Sequence, residues 1–320
     1  MSQRVSLVLL AYNQQSVVHL AAQSCLAQEC EPLEIVLSDD GSSDDTLAVL
    51  QAVAAAYRGA HQVRVRRNSV NVGIGEHYNQ VVRDTTGDLI VTAAGDDISE
   101  PTRVQQLLAA WERTHCRADL IASHVTDMDH DGALHKTLHV DDLAAWTSVS
   151  QWAAHRPYVI GASHAFTRRL MGRFGPLNPR VFYEDQIMAF RAIALGGAVT
   201  VDAPLVRYRR GGTSAMDAWS TAERFVRWTR RQNDRLLAEM EQLLHDAALV
   251  GCYEDVLGSL VRPLARERYL RSLLDAADNS QRWRLFRSAT EIPFWWRLRK
   301  CLHHCHPNTV VALKRAQGKR

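Results

Sequence analysis

The first 125 residues constrain the fold most, because short continuous apolar runs alternate there with stretches of helical periodicity. Val5–Leu10 is apolar but for one Ser, Leu33–Leu37 reads LEIVL, and Asp88–Ala93 reads DLIVTA. Runs without polar alternation suit strands buried on both faces. Between them, Gln14–Gln28, Asp44–Tyr57, Gly75–Arg83 and Thr102–Thr114 carry helical spacing, the last opened by Pro101. Ser43 is the expected N-cap of the second helix, with Asp44 and Asp45 in its first turn. Gln62–Arg66 alternates as a sheet edge does, and Asp119–Ser123 is strand-like. This rhythm predicts an α/β fold, a mostly parallel sheet with helices on both faces.

After Val125 the rhythm changes. Thr126–His139 contains a D-x-D-x-D-G turn and is expected to be a hairpin or loop. Asp141–His155 reads as helix, Gly161–Thr167 as strand, and Tyr183–Leu195 as an amphipathic helix stopped by Gly196-Gly197. Ala198–Val201 and Leu205–Arg209 read as two short strands. From Ala218 to about Leu274 the pattern is helical, with Leu236, Met240, Leu243 and Leu244 on one stripe. The expected division is a catalytic α/β domain over 1–215, a helical extension over 216–280 and a basic aromatic tail over 281–320.

Composition excludes several classes. Hydrophobic content of 46% and charged content of 23% rule out wholesale disorder. Six scattered Cys make no disulfide framework, and Cys25, Cys30, Cys116 and Cys252 read as buried or incidental thiols. The N-terminal apolar run is too short for a signal peptide, and no stretch is long enough to span a membrane. The expected location is cytoplasmic, with any membrane contact peripheral. Charge is unevenly distributed. Residues 281–320 hold ten Lys/Arg and one acid, a net +9, against +3 for the whole chain, which leaves −6 for residues 1–280. Trp283, Phe286, Phe294, Trp295 and Trp296 interleave with these cations, a pattern that suits an anionic lipid surface or a helix closing onto the body. An acidic body disfavours a nucleic-acid partner.

Four clusters follow directly on strands or turns, where open α/β sheets bind ligands. Ala11-Tyr12-Asn13 is either a turn or a base-stacking loop. Ser38-Asp39-Asp40-Gly41-Ser42-Ser43-Asp44-Asp45-Thr46 suits nucleobase or ribose contacts, or helix capping. Asn71-Val72-Gly73-Ile74-Gly75 lacks the third glycine of a dinucleotide fingerprint, because Tyr78 stands there. Ala94-Gly95-Asp96-Asp97 puts two carboxylates at the end of a buried strand. Hard oxygens of this kind suit Mg²⁺ or Mn²⁺, and a surface turn is the alternative.

In this order, VSLVLLAYN, LEIVLSDDGSSDDT, NVGIGEHYN and GDLIVTAAGDDI resemble the family 2 glycosyltransferases of GT-A fold. Tyr183-Glu184-Asp185, about 90 residues after Asp97, is similar to that family's ED motif. The resemblance covers roughly Val5 to Ser214. It implies an inverting, metal-dependent transfer of a sugar from a nucleoside diphosphate sugar to a glycan or lipid-linked acceptor, in bacterial cell-surface polysaccharide or lipopolysaccharide synthesis. It assigns Tyr12 and Asp40, with Asn13 and the backbone near Leu10 and Ala11, to the nucleotide. Asp96 would take the ribose or sugar and Asp97 the Mg²⁺ or Mn²⁺. Asp185 would be the base, with Glu184 beside it or acting in its place. Many relatives carry a His where this chain reads Tyr208-Arg209-Arg210-Gly211-Gly212-Thr213-Ser214, so Arg209 or Arg210 would either cover the diphosphate in its place or be simple surface charge.

Two other motifs are weak. Cys301, His303, His304, Cys305 and His306 match no common zinc spacing. Asp127, Asp129 and Asp131 mimic an EF-hand loop, but Leu138 stands where its last Glu belongs. The competing functions are a nucleotide-sugar binder without catalysis and a basic-tailed nucleic-acid-binding protein. The partners expected are a sugar-nucleotide donor, the acceptor and the inner-membrane surface, without nucleic acid.

Overall fold

The structure is a computed structural model that describes residues 4–210 and 220–316. The strands are β1 (Val5–Ala11), β2 (Glu34–Asp39), β3 (Gln62–Arg67), β4 (Leu89–Ala94), β5 (Ile98–Ser99), β6 (Leu120–Met128), β7 (Leu134–Leu138), β8 (Ala165–Thr167) and β9 (Ala198–Arg209). The helices are α1 (Val18–Leu26), α2 (Thr46–Ala56), α3 (Ile74–Asp84), α4 (Arg103–Arg113), α5 (Val149–Ala154), α6 (Arg168–Phe174) and α7 (Glu184–Ala194). They continue as α8 (Ala222–Leu249), α9 (Tyr253–Asp275), α10 (Asn279–Ser288), α11 (Phe294–Cys305) and α12 (Pro307–Ala316).

Among the described residues the strands form one sheet in the order β3-β2-β1-β4-β8-β6-β9-β5, with β7 paired to β6. The first four are parallel, as are β6 and β9, while β8 joins the two halves antiparallel to both neighbours. The apolar runs explain the layering. Leu7 and Leu9 of β1 face a core built with α1, α2 and α4, while Val8 faces the one built with α3 and α7. Both faces are covered, so neither tolerates a polar alternation. Helices α8 and α9 extend the second core through Ala238, Met240, Leu243, Ala247, Val256, Leu260 and Leu264.

Four local expectations change, the first at Gly161–Thr167, where Gly161–Ser163 is a 3₁₀ turn and only Ala165–Thr167 is strand. Asp141–His155 is not one helix. Asp142 caps a 3₁₀ turn over Leu143–Ala145 and Ser148 caps α5, so side-chain acceptors break the run into two pieces. The segments at 198–201 and 205–209 are one strand, β9, with register shifts against β6 around His124. Ser43 does not cap α2. Its backbone N–H and hydroxyl donate to Asn13 Oδ1, and Asp44 Oδ1 accepts the Thr46 N–H at 3.0 Å instead. The hairpin expected over Thr126–His139 is present as β6–β7, its turn closed by the Ala133 and Asp131 N–H groups on Asp129 Oδ1.

The division at 215/216 lies outside the described residues, as do Gly211, Gly212, Thr213 and Ser214. Residue 281 falls within α10. Trp283, Phe286 and Trp296 pack with Tyr269, Leu273, Ile292 and Cys301, so α10 and α11 close over the end of α9. Phe294 and Trp295 remain 49% and 78% exposed. Among the described residues no helix is long and apolar enough to cross a membrane.

Candidate functional site

The site forms where β1, β2 and β4 end side by side. In register, Leu10 lies between Ser38 and Ala94. The ladder continues one residue further on each side. The Asp40 N–H donates to Ala11 O and the Gly95 N–H to Leu10 O, both at 2.9 Å. The backbone carbonyls of Leu10 and Ala11 are therefore bonded to the two acidic loops and set their spacing.

On the β2 side, the cluster of four Asp residues divides its work. Asp40 is buried and accepts four donors: Asn68 Nδ2 at 2.7 Å, Val72 N at 3.0 Å, and Asn71 Nδ2 and Gly73 N at 3.1 Å. It braces the Asn71–Gly73 loop, where Gly73 has φ 81°. Asp39 accepts from Ser42 N and pairs with Arg67. Asn13, in the left-handed region at φ 51°, locks the first loop onto the second through Ser43, and its N–H reaches Ser42 Oγ at 2.9 Å. Tyr12, beside Asn13 on the first loop, is 40% exposed.

On the β4 side, Asp97 is 5% exposed. Its Oδ1 accepts the Arg209 N–H at 2.7 Å, and its Oδ2 is buried without a hydrogen-bond partner. Burial, and then the charge of Asp96, push the Asp97 carboxyl well above its usual range. Burial also raises Asp96. A buried acceptor left without a donor is costly, of order 1–3 kcal/mol. Two hard carboxylates with a free oxygen fit a divalent cation. Mg²⁺ is commonly held by one or two carboxylates together with substrate phosphates and water. That mode needs no larger protein cage, and the described residues contain no cluster of three or more metal-binding side chains.

Arg209 lies beneath this pair. Its Nε donates to Asp96 O at 3.0 Å and its Nη1 to His130 O at 2.8 Å. Arg210 is ion-paired with Asp127 of β6. Both arginines are therefore engaged with the neighbouring β6–β7 hairpin, and Arg209 with the Asp96 backbone as well.

The remaining acids open α7. Gly161 makes room for them, because a Cβ there would stand 2.7 Å from Glu184 Oε1 and 3.3 Å from the Asp185 Cβ. Burial and the adjacent Asp185 push Glu184 up to about 8, and burial pushes Asp185 up to about 6. The pair therefore holds one proton near neutrality, with Asp185 the more readily ionised member. Tyr208 of β9 feels charges from both acid pairs. After burial, the charges of Asp97, Asp96 and Asp185 all raise its phenol.

Sequence reading missed three contributors. Gln14 Oε1 accepts the Tyr12 N–H at 3.2 Å, and its side chain hydrogen-bonds Asp96, so it connects the Tyr12 loop to the acids. A side chain at Gly95 would overlap it. Arg103 is fully buried, donates to Thr92 O and Ala162 O at 2.7 Å, and places a cation near Asp97. Tyr208 is the third. Gln14 and Arg103 look like ordinary helix residues in sequence, and their roles come from contacts across the fold. Of the zinc-like residues, Cys301 and Cys305 are buried with sulfurs 4.0 Å apart and His304 stacks on Phe225.

Residues 6–160 match the model of glycosyl transferase family 2. The chain carries a family 2 glycosyltransferase domain. Over 110 residues it is 40% identical to the undecaprenyl-phosphate 4-deoxy-4-formamido-L-arabinose transferase of Sodalis glossinidius, covering 33% of this chain and 32% of that one. Other curated relatives are likewise spanned over well under half their length, 39% and 18% in two cases. In fold, the family 2 domain and the helices after it resemble Staphylococcus aureus TarS, solved in complex with UDP-GlcNAc. The match is 13% identical over 99% of this chain and 92% of that one, with a TM-score of 0.56. The mannosyltransferase of Pyrobaculum calidifontis, solved with GDP-Man and Mn²⁺, is 14% identical over 100% and 89%, with a TM-score of 0.53.

Proposed function

We propose that this chain transfers a sugar, with inversion, from a nucleoside diphosphate sugar to a hydroxyl of a glycan or lipid-linked acceptor in bacterial surface-polysaccharide assembly. The observation that carries this reading is the free, buried Oδ2 of Asp97 in a site where Asp96 and Asp185 also lie close enough to Tyr208 for their charges to act on it. Relatives and structural neighbours that act on or bind lipid-linked sugars and sugar nucleotides support it.

Each residue then has a role. Tyr12 stacks on the base, and Asn13 and Asp40 hold the loops that frame it, along the Leu10–Ala11 strand end. Asp96 takes the ribose or sugar. Asp97, with Asp96 beside it, would hold Mg²⁺ or Mn²⁺, which would supply positive charge to offset that of the leaving diphosphate. Arg209 and Arg210 lie on the diphosphate side. Asp185 accepts the proton of the acceptor hydroxyl as its oxygen bonds the anomeric carbon and the bond to the diphosphate breaks. Displacement from the opposite face inverts that carbon. Glu184, protonated near neutrality, stays hydrogen-bonding rather than basic.

Contact with the inner-membrane surface is assigned to the exposed Phe294 and Trp295 among the cations of α10 and α11. Thermal stabilisation by UDP-, dTDP- and GDP-sugars with Mn²⁺, followed by turnover of the best donor, tests the whole reading. A chain that none of them stabilises is not this enzyme.

A further inference from the structure

Helix α8 runs past the start of α7, and Arg224, Arg227, Arg231 and Arg235 fall on it at spacings of three, four and four. Such spacing keeps them on one face. At 1.5 Å per residue the stripe is about 16 Å long. Arg224, Arg227 and Arg231 are exposed, and the stripe ends at the half-buried Arg235.

Arg235 is held rather than neutralised. Its guanidinium lies over the Phe182 ring at 3.3 Å, and its side chain hydrogen-bonds Tyr183, the residue before Glu184 and Asp185. Tyr183 is fixed in turn by donating to Gln232 Oε1 at 2.9 Å. No carboxylate among the described residues is within ion-pair distance of Arg235. Glu239, one turn on, is already paired with Arg156 at 2.5 Å. Burial, with Arg231 nearby, makes the Arg235 cation harder to keep. An anion entering here would be welcome on both counts.

We propose that Arg235, at the head of this arginine stripe, binds a phosphate group of the acceptor and so brings the acceptor hydroxyl to Asp185. The proposal rests on the glycosyltransferase reading and adds the acceptor's chemical class: a phosphate-bearing molecule. A planar guanidinium whose face is occupied by an aromatic ring still offers its edge N–H groups, in the fork that matches phosphate oxygens. Two sources share that chemistry, a glycan carried on a polyprenyl phosphate, whose sugar supplies the hydroxyl, and a soluble phosphate ester that bears a hydroxyl of its own.

The test is thermal stabilisation of the full chain by citronellyl phosphate, citronellol and sn-glycerol 3-phosphate, each with and without Mn²⁺ and the best-stabilising nucleotide. Citronellyl phosphate is expected to raise the melting temperature and citronellol not to. Arg235→Gln should move the half-saturating concentration of the phosphate up at least tenfold, and Arg235→Lys less, while nucleotide stabilisation stays unchanged. An equal response to glycerol phosphate would assign the site to the phosphate group alone, and a response confined to citronellyl phosphate would assign it to a lipid. A wild type indifferent to both phosphates, an alcohol as effective as its phosphate, or an Arg235→Gln that titrates like wild type would each overturn the proposal. Failure of every sugar nucleotide to bind would instead sink the glycosyltransferase reading, with the phosphate arms still legible.

Discussion

Arg191 and Asp246 form a fully buried, two-pronged ion pair, Nε to Oδ2 at 2.6 Å and Nη2 to Oδ1 at 3.1 Å, that fastens α7 to α8. Gln242 donates to the same carboxylate at 2.7 Å, and Arg191 Nη1 reaches Gly175 O at 3.0 Å. The helix that presents Glu184 and Asp185 is thus held from behind by the C-terminal region. Removing one partner of such a pair strands a charge and typically costs 3–5 kcal/mol. Arg191→Met is expected to lower the denaturation midpoint by that order. The double variant Arg191→Met/Asp246→Leu should recover much of it, and a double variant as unstable as the single one would contradict this account.

Asp97→Ala removes a carboxylate with one unsatisfied buried oxygen. The fold is expected to be as stable as wild type or more so, while Mn²⁺-dependent nucleotide stabilisation and turnover are lost. Full activity in excess EDTA would remove the metal from the reaction.

Asp185→Asn keeps shape and hydrogen-bonding reach but loses basicity. The expected fall in kcat is ~10²–10⁴-fold, the usual range for general-base assistance, with donor affinity within about threefold by nucleotide titration. In wild type, kcat should fall as pH drops through about 6, where Asp185 takes up a proton. If Asp185→Asn works at near wild-type rate and Glu184→Gln does not, the base is Glu184.

Glu184 also links pH to stability. Its folded value, about 8, lies above its ordinary 4.5. Its contribution is therefore complete below pH 4.5 and is lost as pH rises through about 8. Glu184→Gln stays neutral throughout. Without metal or nucleotide, its melting temperature relative to wild type should be higher at pH 9 than at pH 5, by about 3 °C or more, corresponding to ~1 kcal/mol. A gap that does not change with pH would falsify the assignment.

Deleting 281–320 would bare Tyr269 and Leu273, which α10 and α11 cover. The cleaner membrane test is Trp295→Glu, because that ring is 78% exposed and holds no core together. Sedimentation with anionic vesicles at low salt is expected to drop at least severalfold, with the melting temperature unchanged. Equal sedimentation of variant and wild type would refute the membrane assignment.

By itself the sequence determined most of the sheet and where the acids lie on it. Strands buried on both faces must be apolar throughout, so Val5–Leu10, LEIVL and DLIVTA could be read directly, and the acids that follow them had to lie at the sheet's carboxyl edge. Local signals were weaker wherever a distant group competed. Ser43 looked like a cap until Asn13, thirty residues earlier, took its donors. The run from Asp141 to His155 looked helical until Asp142 and Ser148 interrupted it. Tertiary structure alone decided which carboxylate oxygens are occupied: Asp40 is saturated by donors from residues 68–73, whereas Asp97 keeps one oxygen free. It alone brought Gln14, Arg103 and Tyr208 to the acids, and α8 to the back of α7. Hydrogen bonds and buried charges pair groups by position in space, and periodicity along the chain carries no record of a partner 28, 55 or 112 residues away.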